Sequence, residues 1–463
     1  MIANLHPYRE YKDSGLPWLP QVPKHWDVRR SKYLFREVDR RSKTGTETRL
    51  SMSQKHGLIP SSQIDEKRLV SASNVGGKLC EPGDLVLNRL KAHLGVIALS
   101  PSHGLVSPDY TVLRPIGTVN YRFFCAVYRS PYCGQELRKR AKGIVEGFWR
   151  LYTDDFYDIR VSVPPPDEQA AIVRFLDYAN GRLERAIRAK RKVIALLHEQ
   201  KQAIIHRAVT RGINQTVALK PSGIPWLGDI PKHWEVRRLR FCIRGKLSYG
   251  ANAAAEFDNP DWPRYLRITD FNGDGSLRPD TFRSLPPHVA KDYLVEDGDI
   301  LFARSGATVG KAFLVHTDTV KACYAGYLIR ARPAENVVLP TFLFAFTQST
   351  AFVRWKDAIF NQATIQNIGA DKYANLSVPI PPISEQKAIL NAVEIDLAPI
   401  RAATARIERE TELLREYRTR LVADVVTGKL DVREAAKHVP TEFVADESTP
   451  EPEELTDSED VEL

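Results

Sequence analysis

The sequence predicts an α+β protein assembled from one unit used twice. Two globular domains are held apart by two long helices that pair as an intrachain coiled coil. Three observations predict this. A block near the start, Lys12–Arg30 (KDSGLPWLPQVPKHWDVRR), returns as Lys220–Arg238 (KPSGIPWLGDIPKHWEVRR) and agrees at 13 of 19 positions without a gap. A Pro-rich stretch, Val163–Gln169 (VPPPDEQ), returns as Ile380–Gln386 (IPPISEQ). Each stretch opens a run whose apolar residues are spaced by three and four. From position 12 to position 220 the repeat distance is 208 residues, the size of a domain rather than of a solenoid repeat.

Taken in order, each unit begins with its block. Trp18, Trp26, Trp226 and Trp234 sit at matching places in the two copies, which suits a structural entry to each domain better than stacking on a ligand. The interiors, residues 31–155 and 239–375, hold Gly/Pro/Asn/Asp turn signals and short β-type runs: Asp84–Asn88, Tyr110–Leu113, Ile300–Ala303 and Tyr327–Arg330. They share little beyond two motifs. Gly83-Asp84-Leu85-Val86 with Arg89 answers Gly298-Asp299-Ile300-Leu301 with Arg304. Leu151-Tyr152-Thr153-Asp154 with Phe156 answers Ile368-Gly369-Ala370-Asp371 with Tyr373. A common frame with divergent contents predicts two reading heads for two different targets; simple drift of the interiors is the alternative.

The helical runs follow. In the first, Ile172, Leu176, Ala179, Leu183, Ile187, Ile194, Leu197, Ile204 and Ala208 form a heptad-like stripe. In the second, Ile389, Val393, Leu397, Ile400, Ala403, Ile407, Leu414, Leu421 and Val425 do the same. Asp167 and Ser384 are expected as N-caps, with Glu168 and Glu385 in the first turn, where the helix dipole favours an acid. Gly212 and Gly428 stand where the helices should stop. About 42 residues give roughly 60 Å at about 1.5 Å per residue. So long a helix with one narrow stripe needs a partner, and its own duplicate is the economical one.

Composition narrows the class. The 463 residues carry 66 Lys/Arg and 57 Asp/Glu, net +9. His438–Leu463 holds ten of those acids and no Lys or Arg, leaving 47 acids against 66 bases, or +19, in residues 1–437. A body so basic points to a polyanion, nucleic acid first. The tail's acidic, Pro-rich composition predicts disorder. Arg182–Arg211 carries nine Lys/Arg against Glu184 and Glu199, as either a solvated face or a phosphate- or partner-facing one. Five cysteines without a Cys-x-x-Cys fit a reducing cytoplasm and argue against a zinc ribbon or disulfide scaffold. No apolar run reaches membrane-spanning length, and Met1–Tyr11 lacks the shape of a signal peptide.

Catalytic signatures are incomplete. Ser305–Ala312 (SGATVGKA) approaches a phosphate loop, but its glycines are one residue too close and Ala312 stands where Ser or Thr would bind magnesium. Ser107-Pro108-Asp109-Tyr110 and Asn259-Pro260-Asp261-Trp262 approach an amino-methyltransferase motif, with Asp in place of the second Pro and no Gly-rich turn upstream. Pro108-Asp109 is not followed by the Glu/Asp-x-Lys of a nuclease. His93 and His103 read as ordinary surface or core residues, and no grouping has metal-ligand spacing.

The repeated block, Pro82–Arg89 (PGDLVLNR), Val106–Pro115 (VSPDYTVLRP) and the Pro-Pro-x-x-Glu-Gln helix starts together resemble the specificity subunit of Type I restriction–modification enzymes, over about residues 8–430. The resemblance implies a first target-recognition domain (1–157), a Pro-rich stop and central spacer helix (158–215), a second target-recognition domain (216–375) and a Pro-rich stop and distal helix (376–432); the acidic disordered tail (433–463), expected from composition, lies beyond it. It implies that the two helices pack antiparallel and that each domain reads one half of a split, asymmetric site on double-stranded DNA. Two modification subunits that methylate adenine from S-adenosylmethionine dock on such a scaffold, joined by restriction subunits that hydrolyse ATP and cut DNA. S-adenosylmethionine, ATP and magnesium are then expected on those partners, with no cofactor and no catalytic site in this chain.

Major-groove edges are read best by Arg or Lys on guanine and by Asn or Gln on adenine, with further cations on phosphates. The candidates are Lys55, His56, Arg89, Lys91 and Lys142 in the first domain, and Arg304, Lys311, Gln362, Gln366 and Asn367 in the second. The equivalence of Arg89 and Arg304 favours a shared backbone or phosphate role. A fused methyltransferase or nuclease with unrecognised motifs, or a tandem protein-binding adaptor, are the alternatives.

Overall fold

The computed structural model describes residues 5–53, 56–63, 74–143, 149–272, 275–306, 308–316, 321–360 and 367–440. Two compact units result: Met1–Lys190 with Arg409–Leu463, and Arg191–Glu408. Each contains one interior, part of each long helix and one copy of the block.

In unit 1 the block folds as a hairpin, Tyr11–Leu16 with Leu19–Pro23, followed by the strand Asp27–Arg30. That strand pairs antiparallel with Arg160–Val163, so the block lies directly beside the chain entering the Pro-rich stretch. The interior is a four-stranded antiparallel sheet in the order Phe35–Glu37, Tyr110–Pro115, Leu85–Asn88, Ile97–Leu99. Side chains alternate across a strand, and here both faces are covered. Leu85 and Leu87 join the core under the helices Tyr121–Arg129 and Pro131–Arg140, while Val86 faces a second cluster with Leu50, Met52 and Leu58 of the hairpin Leu50–Ser53 and Gly57–Pro60. The unbroken apolar run Leu85-Val86-Leu87 follows from that double burial.

Unit 2 repeats this frame. The hairpin pairs Leu219–Pro221 with Asp229–Pro231, and Glu235–Arg238 pairs with Ser377–Ile380. The sheet order is Ser248–Tyr249, Leu328–Ala331, Ile300–Ala303, Ala312–Leu314. Ile300 and Phe302 face the helices Pro340–Thr347 and Thr350–Phe360; Leu301 and Ala303 face the other cluster. The contents differ outside the frame. Unit 1 adds the antiparallel pair Lys78–Cys80 with Gly104–Val106, whereas unit 2 adds the parallel pair Arg264–Leu266 with Ala322–Tyr324.

The long helices run Pro166–Arg211 (46 residues) and Ile383–Val426 (44 residues). In unit 1, Ile172, Phe175, Leu176 and Ala179 from the start of the first share a core with Leu421, Val425 and Val426 from the end of the second. In unit 2, Ile205, Ala208 and Val209 from the end of the first share a core with Ile389, Val393, Leu397 and Ile400 from the start of the second. Arg418–Glu184 (2.7 Å) and Lys190–Glu410 (2.5 Å) bridge the pair in unit 1. No helix among the described residues is long and apolar enough to cross a membrane.

Two expectations are corrected. Asp167 and Ser384 are not N-caps, because the helices begin one residue earlier, at Pro166 and Ile383. Gln169 N donates to Pro165 O and Gln386 N to Pro382 O, each at 2.9 Å, so the proline carbonyls close the first turns. A proline at the first helical position loses no bond, since that donor has no partner in any helix. The terminal segment also stays ordered further than its composition suggests. Arg433–Lys437 is helical, Ala436 and Val439 are buried, and Asp431 N donates to His6 O at 2.8 Å. The ten acids of the expected tail fall at 441–463, outside the described residues.

Candidate nucleic-acid interface

The repeated motifs are first of all fasteners. Asp84, 2 % exposed, accepts from Glu81 N (2.9 Å) and from Arg114 Nε (2.9 Å) and Nη2 (2.8 Å). Asp299, 1 % exposed, accepts from Glu296 N (2.8 Å) and from Arg332 Nε (2.8 Å) and Nη2 (2.9 Å). These charge-assisted forks push the Arg114 and Arg332 guanidinium pKa values up from their ordinary range, the bonds to the aspartates being the main cause. Each Gly-Asp turn thereby fixes the strand that delivers Arg89 or Arg304.

The block is fastened to the helix start. In unit 1, Glu168 accepts from Tyr8 Oη (2.6 Å) and Trp26 Nε1 (3.0 Å) and pairs with His25 Nε2 (2.7 Å). Burial, then the bond to Glu168, raise the Tyr8 phenol well above its usual pKa. In unit 2, His233 Nε2 pairs with Glu385 at 2.7 Å, while the Trp234 indole N–H is buried without a hydrogen-bond partner. Gln169 and Gln386 complete the fastening. Gln169 Oε1 accepts from Asn120 N (3.1 Å) and Gln386 Oε1 from Leu339 N (2.8 Å). Trp18, Trp26 and Trp234 are buried, and Trp226 packs partly buried on the unit 2 core, so the rings are turned away from solvent.

The basic candidates fall into two groups. In unit 1, Leu151 N donates to Arg89 O (2.9 Å), and Lys142 and Arg150 exchange backbone bonds (2.9 and 2.8 Å), which gathers Arg89 and Lys142 on one loop system. Lys91 follows on the same turn, its N bonded to Asn88 O at 3.2 Å. His56 sits apart, in the Leu50–Pro60 hairpin, where its backbone N donates to Ser53 Oγ at 3.3 Å. Two of these side chains are already occupied. Arg89 Nε donates to Thr111 Oγ1 (2.8 Å) and its Nη2 lies 3.4 Å from Glu37, while Lys142 is paired with Asp155 at 2.7 Å. Lys55 lies outside the described residues.

In unit 2 the backbone draws three candidates together. Ile368 N donates to Arg304 O (2.9 Å), Ala303 N donates to Lys311 O (2.8 Å), and Ser305 bridges Asn367. Arg304 has no ion pair among the described residues; its guanidinium lies 4.9 Å from the centre of the Tyr249 ring. Lys311 and Asn367 are exposed. Gln362 and Gln366 lie outside the described residues. Sequence reading missed Tyr249 and Tyr327, exposed by 43 % and 64 % beside this cluster. Their only sequence signal is an aromatic next to glycine in Tyr249-Gly250 and Gly326-Tyr327.

The phosphate-loop resemblance does not extend to the fold. Ser305–Lys311 joins two strands of one antiparallel pair, Ile300–Ala303 and Ala312–Leu314, and so no helix N-terminus follows it. Among the described residues no group of three or more His, Cys, Asp or Glu is placed to hold a metal ion.

Residues 231–396 match the model of the type I restriction modification DNA specificity domain. Over 437 residues, 89 % of this chain and 95 % of the relative, the sequence is 22 % identical to the type I restriction enzyme MjaX specificity subunit, a provisional assignment in Methanocaldococcus jannaschii. Over that length the chain is similar to type I restriction enzyme specificity subunits. It is also 25 % identical over 210 residues to the EcoKI specificity subunit of Escherichia coli K12, a match that spans 44 % of each protein, less than half the length of that relative. A chain solved in structural work on complex assembly and conformational transition of the type I R-M system superposes with a TM-score of 0.61 at 15 % identity, covering 88 % of this chain and 99 % of the other. At that identity the likeness concerns the fold alone, mixed helix and strand with a pair of long helices.

Proposed function

We propose that this chain is the sequence-specific DNA-recognition subunit of a type I restriction–modification complex and carries no catalytic site of its own. Each unit reads one half of a bipartite, asymmetric DNA site, and the long helices form an antiparallel coiled coil that sets the spacing. The carrying observation is the repeated frame. Both units use the same sheet order, the same Gly-Asp fork and the same histidine–glutamate link from block to helix, yet differ in the strands and loops around Arg89 and Arg304. Conserving the holder and changing the contents suits two reading heads on one scaffold. The +19 charge of residues 1–437 supports a polyanionic target. Two modification subunits and the restriction subunits are the expected partners, with S-adenosylmethionine, ATP and magnesium bound to them.

The test is methylome sequencing of a methylation-free host that expresses this chain with its modification subunit. The expected result is N6-methyladenine at one split motif, lost when this chain is omitted. Methylation that persists without it overturns the proposal.

A further inference from the structure

Arg89 and Arg304 stand at the same place in the two units, at the end of the strand that follows the Gly-Asp turn. Their main chains act alike: Arg89 O accepts from Leu151 N and Arg304 O from Ile368 N, both at 2.9 Å. Their side chains do not. Arg89 is held inside unit 1 by Thr111 (2.8 Å) and by Glu37, a carboxylate it shares with the buried Lys78 at 3.3 Å. Arg304 makes no side-chain hydrogen bond among the described residues, and its Nε is buried without a partner. Its guanidinium rests on the Tyr249 ring, 4.9 Å from the centroid. Tyr249 is itself anchored, its hydroxyl accepting from Ala370 N at 3.0 Å.

A buried donor with no acceptor is a standing cost that calls for an explanation. A guanidinium is planar, and stacking on an aromatic ring fixes that plane while leaving the donors of its edge unused. The pair of acceptors such a fork fits best on duplex DNA is O6 and N7 of guanine; a phosphate needs no fixed plane, and the exposed Lys311, brought alongside by the Ala303–Lys311 backbone bond, suits that role. We propose that Arg304, oriented by Tyr249, reads a guanine edge in the half-site bound by unit 2, whereas Arg89 reads no base in unit 1. Tyr249 is a positioning residue in this scheme. The inference rests on unit 2 being a DNA-recognition module.

The test uses the full chain co-expressed with its modification subunit in a methylation-free host, with methylome sequencing of Arg304→Lys, Arg304→Ala, Tyr249→Leu and Arg89→Lys. Arg304→Lys keeps the charge and removes the fork. It is expected to relax one G·C position in one half of the split motif, with discrimination there falling roughly 5- to 150-fold, the worth of a bidentate contact. Arg304→Ala should relax the same position, Tyr249→Leu should do so more weakly, and Arg89→Lys should leave the motif unchanged. A motif unaltered by Arg304→Lys and Arg304→Ala overturns the inference. So does a uniform loss of methylation at every site with base preference intact, which marks a phosphate contact. Thermal unfolding of the purified variants keeps misfolding from imitating either result. If the parent chain directs no split motif at all, the recognition reading itself fails, an outcome distinct from the failure of Arg304.

Discussion

Unit 1 fastens its block to its long helix through Glu168, which serves Tyr8, His25 and Trp26; unit 2 uses Glu385, which serves His233 and leaves the Trp234 N–H buried and unmatched. The glutamates occupy the same helix turn, but Tyr8 has no counterpart: Thr216 stands 208 residues on, at the corresponding position. The third donor to Glu168 therefore comes from outside the repeated block. The lesson is that a duplicated motif preserves a geometry while its energetics drift with neighbours the motif does not contain. The same holds for Arg89 and Arg304, and the Gly-Asp forks mark the opposite limit, where both copies keep every bond.

The forks should give the largest effects and the most similar ones. Asp84→Ala and Asp299→Ala each remove the buried carboxylate from an arginine fork, Arg332 keeping Glu296 at 2.5 Å, and each is expected to destabilise its own unit, Asp84→Ala by about 3–5 kcal/mol and Asp299→Ala by somewhat less. Hydrogen exchange resolved by unit, together with urea unfolding, checks this; a loss in one unit but not in the other would break the idea of a common frame.

Glu168→Ala and Glu385→Ala should then separate the units. The first orphans two buried donors, for roughly 2–5 kcal/mol. The second removes one partly exposed pair, for about 0–1 kcal/mol. Equal unfolding midpoints for the two variants would show that the extra bonds of unit 1 contribute nothing net.

The helix stops sharpen the comparison further. Gly428 and Gly212 both have positive φ, 78° and 72°. A Cβ at Gly428 would lie 2.5 Å from Pro23 Cδ, whereas at Gly212 the nearest atoms, of Glu385 and Trp234, are 3.3 Å away. Gly212→Ala should cost mainly the left-handed strain, about 1–2 kcal/mol, with Glu385 and Trp234 giving by a few tenths of an ångström. Gly428→Ala should add overpacking, about 1–3 kcal/mol more. Calorimetry that ranks the two the other way round would contradict the packing described here.

The smallest effect concerns acid. His206 in unit 2 occupies the place of Ala423 in unit 1, counted back from the matching Val209-Thr210 and Val426-Thr427. Burial first, then Arg354 and Arg211, lower its pKa from the ordinary 6.5. The unfolded chain then binds the proton more readily than the folded one. Stability contributed by the neutral ring is complete above about pH 6.5 and declines as pH falls below it. His206→Ala should flatten that decline in unit 2 and leave unit 1 unchanged, which unit-resolved hydrogen exchange at pH 5 and pH 7.5 would detect.

Much of the frame was legible beforehand because its signals are local or repeated. The Pro-rich stops, the three-and-four spacing of the long helices and the runs at Leu85 and Ile300 need no knowledge of distant residues. The capping of the helices was misjudged for a local reason too: the prolines themselves supply the first carbonyls, so the acid and the serine behind them had no cap to provide. The order of Arg433–Val439 was hidden because a composition average over the acidic tail conceals Ala436, which joins the core that holds Tyr8 near the start of the chain.

The sequence by itself determined the repeated block, the order of the main elements and the basic body, since periodicity, repetition and charge are properties of the chain. Only the tertiary structure decided which cations are spent and which are free. Glu37 lies 52 residues from the Arg89 it holds, and Tyr249 lies 55 residues before the Arg304 it supports. Those separations are closed by sheet pairing, Phe35–Glu37 and Leu85–Asn88 both flanking Tyr110–Pro115, and Ser248–Tyr249 and Ile300–Ala303 both flanking Leu328–Ala331. Strand neighbours set by folding, rather than by proximity along the chain, give two equivalent arginines opposite fates.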